Sequence, residues 1–205
     1  MRDIMTAFRK LEDDEDAIVA PWIYETDKFL FDKLFTDKCD AINAIGQLIN
    51  SDYINPYHRS FITVIYTDNP EDILGISVSF KGCAISSEDT FNALMDTQKI
   101  NVKRIILIRI LDLLFSSYIR KNDYYIGILY VAEQYRKQGL GSKLVEKCKQ
   151  MARQSNSYNI LVDVEYSKEY LLDFYSGFEF DRSVDNYHKI VGKTYGCYGM
   201  KCKLK

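Results

Sequence analysis

Residues 129–143 read LYVAEQYRKQGLGSK, and this stretch decides the fold that the sequence predicts. A β-branched and aromatic run ends at Val131, and a short polar loop follows it. Arg136, Gly139 and Gly141 then stand at R-x-x-G-x-G spacing, directly before a stretch with helical periodicity. The sequence therefore predicts a strand, a loop with two glycines and a helix in direct succession.

The predicted helix begins at Gly139 or Leu140 and is amphipathic to about Gln154. The first four N–H groups of a helix are unpaired, and its dipole places partial positive charge there. Glycines let the backbone approach a ligand closely, and Arg136 adds a side-chain cation. Two glycines alone would favour an ordinary loop before a helix. The arginine, the preceding strand and the periodic helix together favour a pyrophosphate-binding loop.

Other phosphate-binding loops fit this stretch less well. A dinucleotide fingerprint requires G-x-G-x-x-G, and Leu144 stands where its third glycine would be. A Walker loop requires G-x-x-x-x-G-K-[ST], but Gly141 is followed by Ser142 and Lys143 in the wrong order. The upstream glycine of the Walker loop is also missing.

The segment VAEQYRKQGLG at 131–141 resembles the GNAT (GCN5-related) superfamily of N-acetyltransferases, whose fourth strand leads through V-x-x-x-x-R-x-x-G-x-G into a helix. The resemblance implies that acetyl-CoA is the acyl donor and that the loop binds its pyrophosphate. It implies that the backbones of three strand residues align the pantetheine and acetyl group: Leu129, Tyr130 and Val131. It implies that the phosphates are bound by Arg136, Lys137, Gln138, Gly139, Leu140, Gly141 and Ser142.

A second segment, FYSGF at 174–178, resembles the end of the next helix in the same family, L-Y-x-x-x-G-F. If Tyr175 is the family tyrosine, the spacing to Gly177 is two residues short, which places a deletion after Tyr175. Strict spacing instead puts Asp173 at the tyrosine position. A tyrosine can protonate a leaving CoA thiolate, so we predict Tyr175 as the catalytic acid. The alternative is a helix-end tyrosine packed under the sheet.

The last third of the chain alternates strands and helices, which predicts an α/β sheet with helices packed on its faces. The resemblance implies a GNAT-like mixed sheet flanked by helices, and the length predicts a single domain over residues 1–205. The predicted strands are Met5–Leu11, Phe61–Tyr66, Ile73–Phe80, Tyr124–Val131, Asn159–Glu165, Phe178–His188 and Tyr195–Leu204. Further helices are predicted from the acidic run 12–16, over Asp27–Phe35 and Asp40–Ile49, from Ser86 or Ser87 to Met95, and over Val102–Tyr118 and Lys168–Tyr175.

Residues 82–123 depart from the family pattern, which usually has a tight turn between its third and fourth strands. This sequence instead predicts two helices there. We interpret the segment as a helical insertion in the domain. It would either cover the substrate side or form a homodimer contact, and the sequence leaves both roles open.

Charge and hydropathy exclude two classes of partner. The formal net charge is −2, so there is no basic surplus for a nucleic-acid backbone. The most apolar stretch, Ile105–Phe115, contains Arg109 and Asp112 and is too short to span a bilayer. We therefore expect neither a nucleic-acid nor a membrane partner.

The number and spacing of the cysteines indicate a reducing compartment and the absence of a structural metal site. There are five, an odd number, and the first ten residues contain no apolar core for export, so we expect reduced thiols in a cytoplasm. His188 with Cys197 and Cys202 offers three ligands at loose spacing, whereas a structural zinc site needs four.

The implied reaction is direct attack of a primary amine, on a small molecule or a peptide, on the acetyl thioester, with no enzyme nucleophile. The family often has a glutamate base on the fourth strand, and Tyr125 stands in its place. Asp123, Glu165 and a water molecule stay open as bases. The missing glutamate and the short Tyr175–Gly177 spacing support an alternative function, a non-catalytic acyl-CoA-binding or interaction module.

Overall fold

A computed structural model of the protein describes residues 5–67, 69, 72–97, 100, 102–106, 117–190 and 193–204. For residues 187–190 and 193–195 the description covers the main chain. Within these ranges, no helix has both the length and the apolar character that crossing a membrane requires.

Strands and helices alternate over residues 123–190, as the sequence predicts for the last third of the chain, whereas three helices follow the first strand in succession. The strands are β1 (Ala7–Lys10), β2 (Ile62–Tyr66), β3 (Ile73–Lys81), β4 (Asp123–Val131), β5 (Asn159–Glu165), β6 (Asp181–Ile190) and β7 (Lys193–Lys203). The labelled helices are α1 (Asp16–Thr26), α2 (Lys28–Leu34), α3 (Lys38–Ile49), α4 (Ser87–Asp96), α5 (Leu140–Gln154) and α6 (Leu171–Ser176). Residues 102–106 are also helical.

The seven strands form one sheet in the order β1-β2-β3-β4-β5-β7-β6. Its pairs are antiparallel except β4 and β5, which run parallel. Parallel neighbours need a crossover connection, and α5 provides it. The predicted mixed sheet of a GNAT-like α/β fold is therefore confirmed.

The two faces of the sheet bury different helices. On one face, apolar residues of β2, β3 and β4 pack against α1, α2 and α3. On the other face, α5 and α6 pack against β4, β5 and β7. Tyr124 and Ile126 of β4 face α5, as alternation along a strand requires, whereas Ile128 faces α1 because an extra residue between Ile126 and Ile128 shifts the register.

The predicted strands are all present, and the helices differ from prediction in two places. The predicted helix Lys168–Tyr175 is too long, because a 3₁₀ turn occupies Tyr166–Lys168 and α6 begins only at Leu171. The predicted helix Val102–Tyr118 is helical over 102–106, not helical at 117–118, and otherwise lies outside the described residues. The insertion over residues 82–123 therefore stays a prediction.

Candidate active site

The parallel strands β4 and β5 separate halfway along their length. Their pairing covers only Asp123–Ile126 with Asn159–Val162. The register between β3 and β4 shifts at the same point, where Val78 pairs with Ile128 and Ser79 with Ile126, so Gly127 forms a β-bulge. Beyond the bulge, the β5-facing main-chain groups of β4 lie outside the parallel ladder. We call this gap, between Gly127–Val131 of β4 and Asp163–Glu165 of β5, the split.

The loop after β4 turns the chain sharply into α5. Glu133–Tyr135 form a 3₁₀ turn, and Lys137 has φ +61°. Gly139, the N-cap of α5, has φ +80°, a left-handed conformation that glycine adopts without steric cost. A Cβ atom at Gly139 would have no neighbour within 4 Å, so this turn has open space in front of it.

The head of α5 presents main-chain N–H groups that precede the helical ladder. Its first bond runs from the N–H of Lys143 to the carbonyl of Gly139, at 3.1 Å. The N–H groups of Leu140, Gly141 and Ser142 therefore come before that bond. Leu140 is buried, which fixes the direction of the helix. This geometry suits an anion, because the helix dipole adds positive potential at the same end.

Arg136 lies beside this helix head. Its Nε donates a hydrogen bond to the carbonyl of Val131 at 3.0 Å, and its guanidinium lies over the ring of Tyr130, 5.4 Å from the centroid. Trp22 of α1 stacks on the same tyrosine at 5.2 Å between centroids. The side chain of Arg136 is half-exposed. The cation is therefore anchored at the loop and still accessible to a ligand.

The other residues predicted to bind the donor lie along the same path. Leu129 and Val131 direct their side chains toward the α5 face. Gln138 donates a hydrogen bond to the carbonyl of Gln134 at 3.4 Å. Gly141 lies against the ring of Phe174, because a Cβ there would stand 3.5 Å from that ring. The structure thus brings the predicted donor-binding residues to one end of α5 and to one strand edge.

Tyr175 lies on the α5 face, close to the split. It belongs to the buried cluster that contains Ile126 and Val162, the last paired residues of β4 and β5. Its ring packs edge-on against Phe174 and Phe180, and 5% of its surface is exposed. Burial raises the pKa of the Tyr175 phenol well above its ordinary value, so the hydroxyl stays protonated at neutral pH and is a weaker acid than an exposed phenol.

The turn after α6 removes the need for a deletion after Tyr175. Gly177 has φ −61° and ends the helix in ordinary α geometry, whereas Glu179 has φ +65°. Glu179 thus takes the left-handed position that a glycine usually fills, and Phe180 follows it into the core. Tyr175-x-x-x-Glu179-Phe180 then matches the spacing L-Y-x-x-x-G-F without a gap. Buried Lys149 supports this turn by donating to the carbonyl of Phe178 at 3.0 Å.

A carboxylate that the sequence analysis did not select lies at the split on the opposite face of the sheet. Asp163 of β5 accepts hydrogen bonds from the N–H of Ser117 at 2.9 Å and from its Oγ at 2.5 Å. The hydroxyl of Tyr125 donates to the same carboxylate at 3.1 Å. Burial, the largest effect, raises the pKa of Asp163, and the hydrogen bonds from Ser117 oppose the rise. The signal in the sequence was one acidic residue inside the apolar strand NILVDVE.

The two carboxylates considered as bases have structural partners. Asp123 is buried and accepts from the Nδ2 of Asn159 at 2.7 Å and from the N–H of Arg120 at 3.2 Å, at the start of β4. It therefore holds the turn before the strand, at the end away from the split. Glu165 forms an ion pair with Lys168 at 2.7 Å.

The cysteines are separate from this site. All five are free thiols, with Cys148, Cys197 and Cys202 buried and Cys39 and Cys83 exposed. In the part of the chain that the structure describes, no three potential metal ligands come together. The side chain of His188 lies outside that part, so the expected absence of a metal stays a prediction.

Comparison with known proteins supports the same fold and family. A family model described as the acetyltransferase (GNAT) family matches residues 42–180, which include β2–β5 and the α5 loop. A search of curated protein sequences found no match.

Solved structures resemble the protein over nearly its whole length. An acetyltransferase crystal structure is 15% identical, with a TM-score of 0.67, covering 97% of this chain and 100% of the other. An N-acetyltransferase from Staphylococcus aureus Mu50 is 14% identical, with a TM-score of 0.63 and coverage of 95% and 99%. A chain of the NatC complex, solved with Gag peptide and CoA, is 14% identical, with a TM-score of 0.56 and coverage of 98% and 100%. At these identities the likeness shows the fold alone.

Proposed function

Because this chain belongs to the GNAT acetyltransferase family, we propose that it transfers the acetyl group of acetyl-CoA to a primary amine of a small molecule or a peptide. The observation that carries the proposal is the position of the α5 head directly beside the split between β4 and β5. An anion site and an unpaired strand edge, one after the other, suit a long donor with a diphosphate at one end and a thioester at the other.

The donor site follows from the main chain. The N–H groups of Leu140, Gly141 and Ser142 bind the diphosphate, and Arg136 adds a charged donor. The β5-facing groups of Leu129–Val131 form hydrogen bonds with the pantetheine, in place of a neighbouring strand. The NatC complex, which has the same fold, was solved with CoA and a peptide, and this is consistent with a CoA donor and an amine acceptor.

The reaction needs no nucleophile from the protein. The neutral amine attacks the thioester carbon, a C–N bond forms, the C–S bond breaks, and CoA leaves as a thiolate. Main-chain N–H groups at the bulge stabilise the negative charge that develops on the thioester oxygen. Tyr175 gives its proton to the thiolate, and the proton that the nitrogen loses on forming the amide restores the phenol.

The alternative, a non-catalytic acyl-CoA-binding module, loses one of its two supports. The spacing after Tyr175 no longer departs from the family pattern once Glu179 is aligned with the family glycine. The missing glutamate on β4 is the second support.

Two measurements test the proposal in sequence. Acetyl-CoA should raise the melting temperature, because a ligand that binds only the native state stabilises it. Thiol release should then be followed with acetyl-CoA and a panel of small primary amines and short peptides. Absence of a melting shift at millimolar acetyl-CoA would overturn the proposed site. A shift without acetylation of any amine would support the non-catalytic module.

A further inference from the structure

We propose that Tyr125 and Asp163 together act as the general base, in the place of the missing strand glutamate. This inference rests on the proposed function. The proton of the acceptor ammonium passes to the hydroxyl oxygen of Tyr125, while the phenol gives its own proton to Oδ2 of Asp163.

The position of the pair is the first argument. Tyr125 is two residues before the bulge at Gly127, and Asp163 is the first residue of β5 beyond the paired region. Both side chains point to the face of the sheet opposite α5, because their neighbours Tyr124 and Val162 point toward α5. The head of α5 and Tyr175 belong to the α5 face, whereas Arg136 of the loop reaches Tyr130 on the other face. An amine that attacks a thioester lying in the split has to approach from the other side, where the pair lies.

The construction around Asp163 is the second argument. Gly199 of β7 is its strand partner, and a Cβ at Gly199 would collide with Ser117 Oγ and with the side chain of Val184. A residue without a side chain is therefore required at position 199, where Ser117 contacts the Asp163 carboxylate. Ser117 supplies two donors, which leaves Oδ2 shared between its N–H and the Tyr125 hydroxyl. A carboxylate oriented in this way can receive one proton through the phenol.

The charges around the pair are the third argument. Among the described residues, the titratable groups that face Asp163 are Tyr125 from β4 and Cys197 from β7, and both form hydrogen bonds that favour the carboxylate form. Burial acts in the opposite sense and prevails, so the carboxylate has a raised pKa. A raised pKa makes a carboxylate a stronger base, and Asp163 is still only partly buried, so solvent can accept its proton after each turnover.

The proton balance is complete with these groups. The acceptor enters as an ammonium ion and loses one proton to Asp163, through Tyr125. The resulting amine forms the C–N bond, and the nitrogen gives its second proton to the donor side, where the thiolate leaves as a thiol. Asp163 then releases its proton to water.

The test uses two acceptor probes with saturating acetyl-CoA. Propylamine is an ammonium ion at neutral pH and needs the base, whereas hydroxylamine is already mostly neutral. We expect Asp163→Asn to lower the rate with propylamine by about 100-fold, the usual size of general-base catalysis, and with hydroxylamine by less than about threefold. Tyr125→Phe should show the same selectivity. Because the two act as one relay, the double variant should lose little more than either single variant.

A matched control is Asp185→Asn, the same change at an exposed carboxylate of β6 that pairs with Arg182. It should leave both rates unchanged. Acetyl-CoA binding and melting temperature of each variant should match those of the wild type, which would show that the fold is intact. The assignment of Tyr125 and Asp163 as the base would be overturned by equal losses of rate with both probes or by multiplied losses in the double variant. It would also be overturned if a wild type that binds acetyl-CoA acetylated neither probe. Failure of the wild type to bind acetyl-CoA would overturn the proposed function instead.

The pH profile gives a readout that a merely structural role would not change. Hydrogen bonds from Ser117 lower the pKa of Asp163, so Ser117→Ala should raise it further. A base works when it is deprotonated, and the acidic limb of the kcat/KM profile with propylamine should therefore move to higher pH. A limb that stays in place in Ser117→Ala would contradict the assignment of Asp163.

Discussion

The two faces of the split are built in different ways. The proposed donor site is one continuous stretch, from Leu129 in β4 to Ser142 in α5. The opposite face assembles its carboxylate site from Ser117, Tyr125 and Asp163, which come from separate parts of the chain. The proposed site for the donor is therefore formed by residues close together in the sequence. The site on the acceptor side is formed by distant residues that only the tertiary fold brings together.

The comparison predicts that the two faces can be disabled separately. A change on the α5 face should affect every acceptor equally, because every acceptor uses the same donor. A change on the opposite face should depend on the acceptor's protonation state.

The largest expected effect is on turnover. Tyr175→Phe should lower kcat by about 100-fold, because the leaving thiolate loses its proton donor. Acetyl-CoA affinity, measured by calorimetry, should be nearly unchanged, since the ring packing is kept. The loss should be equal for propylamine and hydroxylamine, unlike that of Asp163→Asn. Unchanged turnover would remove Tyr175 from the reaction and leave it as a core residue.

The next effect is on the stability of the protein and comes from a substitution on the acceptor side. Gly199→Ala should lower the free energy of unfolding by about 2 kcal/mol, because the added methyl group overpacks against Ser117 and Val184. Urea denaturation measures this change. A stable Gly199→Ala protein would show that the close approach of Ser117 to β7 is not required.

A smaller effect is expected on donor affinity. Ser142→Pro removes one main-chain N–H at the head of α5, in the first turn where proline is tolerated. One lost hydrogen bond to a charged phosphate corresponds to about 1.5 kcal/mol, or roughly tenfold weaker acetyl-CoA binding. Ser142→Ala keeps that N–H and serves as the matched control. Equal affinities in the two variants would place the diphosphate elsewhere.

The smallest effect concerns the turn after α6. Glu179 has φ +65°, a conformation that costs an ordinary residue about 1 kcal/mol relative to glycine. Glu179→Gly should therefore raise the melting temperature slightly, reduced by the loss of the contact with Lys149. A clear destabilisation would argue against placing the family glycine at this position.

The strand–loop–helix arrangement of the proposed donor site was predictable because the signals for it are local in the sequence. The strand, the R-x-x-G-x-G spacing and the periodic helix all lie within one short segment, and the structure brings them together as expected. The fold class followed from the same segment together with the alternating pattern around it. The spacing after Tyr175 was misread because a glutamate in left-handed conformation is indistinguishable in sequence from one in a helix.

The acceptor side could not be predicted because its contacts join distant residues. Asp163 lies 46 positions from Ser117 and 38 from Tyr125, and only the sheet order brings them together. Tyr125 was identified as the residue in the glutamate position, but its partner was not. An isolated aspartate in an apolar strand was the available clue, and aspartate is far more often a surface residue than a buried one.

In the proposed function, the main-chain N–H groups at the head of α5 bind the diphosphate of the donor. The most direct measurement is a titration of coenzyme A into ¹⁵N-labelled protein, followed by the amide resonances. We expect the amides of Leu140, Gly141 and Ser142 to shift strongly and saturate together, and pantetheine, which lacks the diphosphate, to leave them nearly unchanged. Saturable binding of coenzyme A that leaves these three amides in place would contradict this proposal.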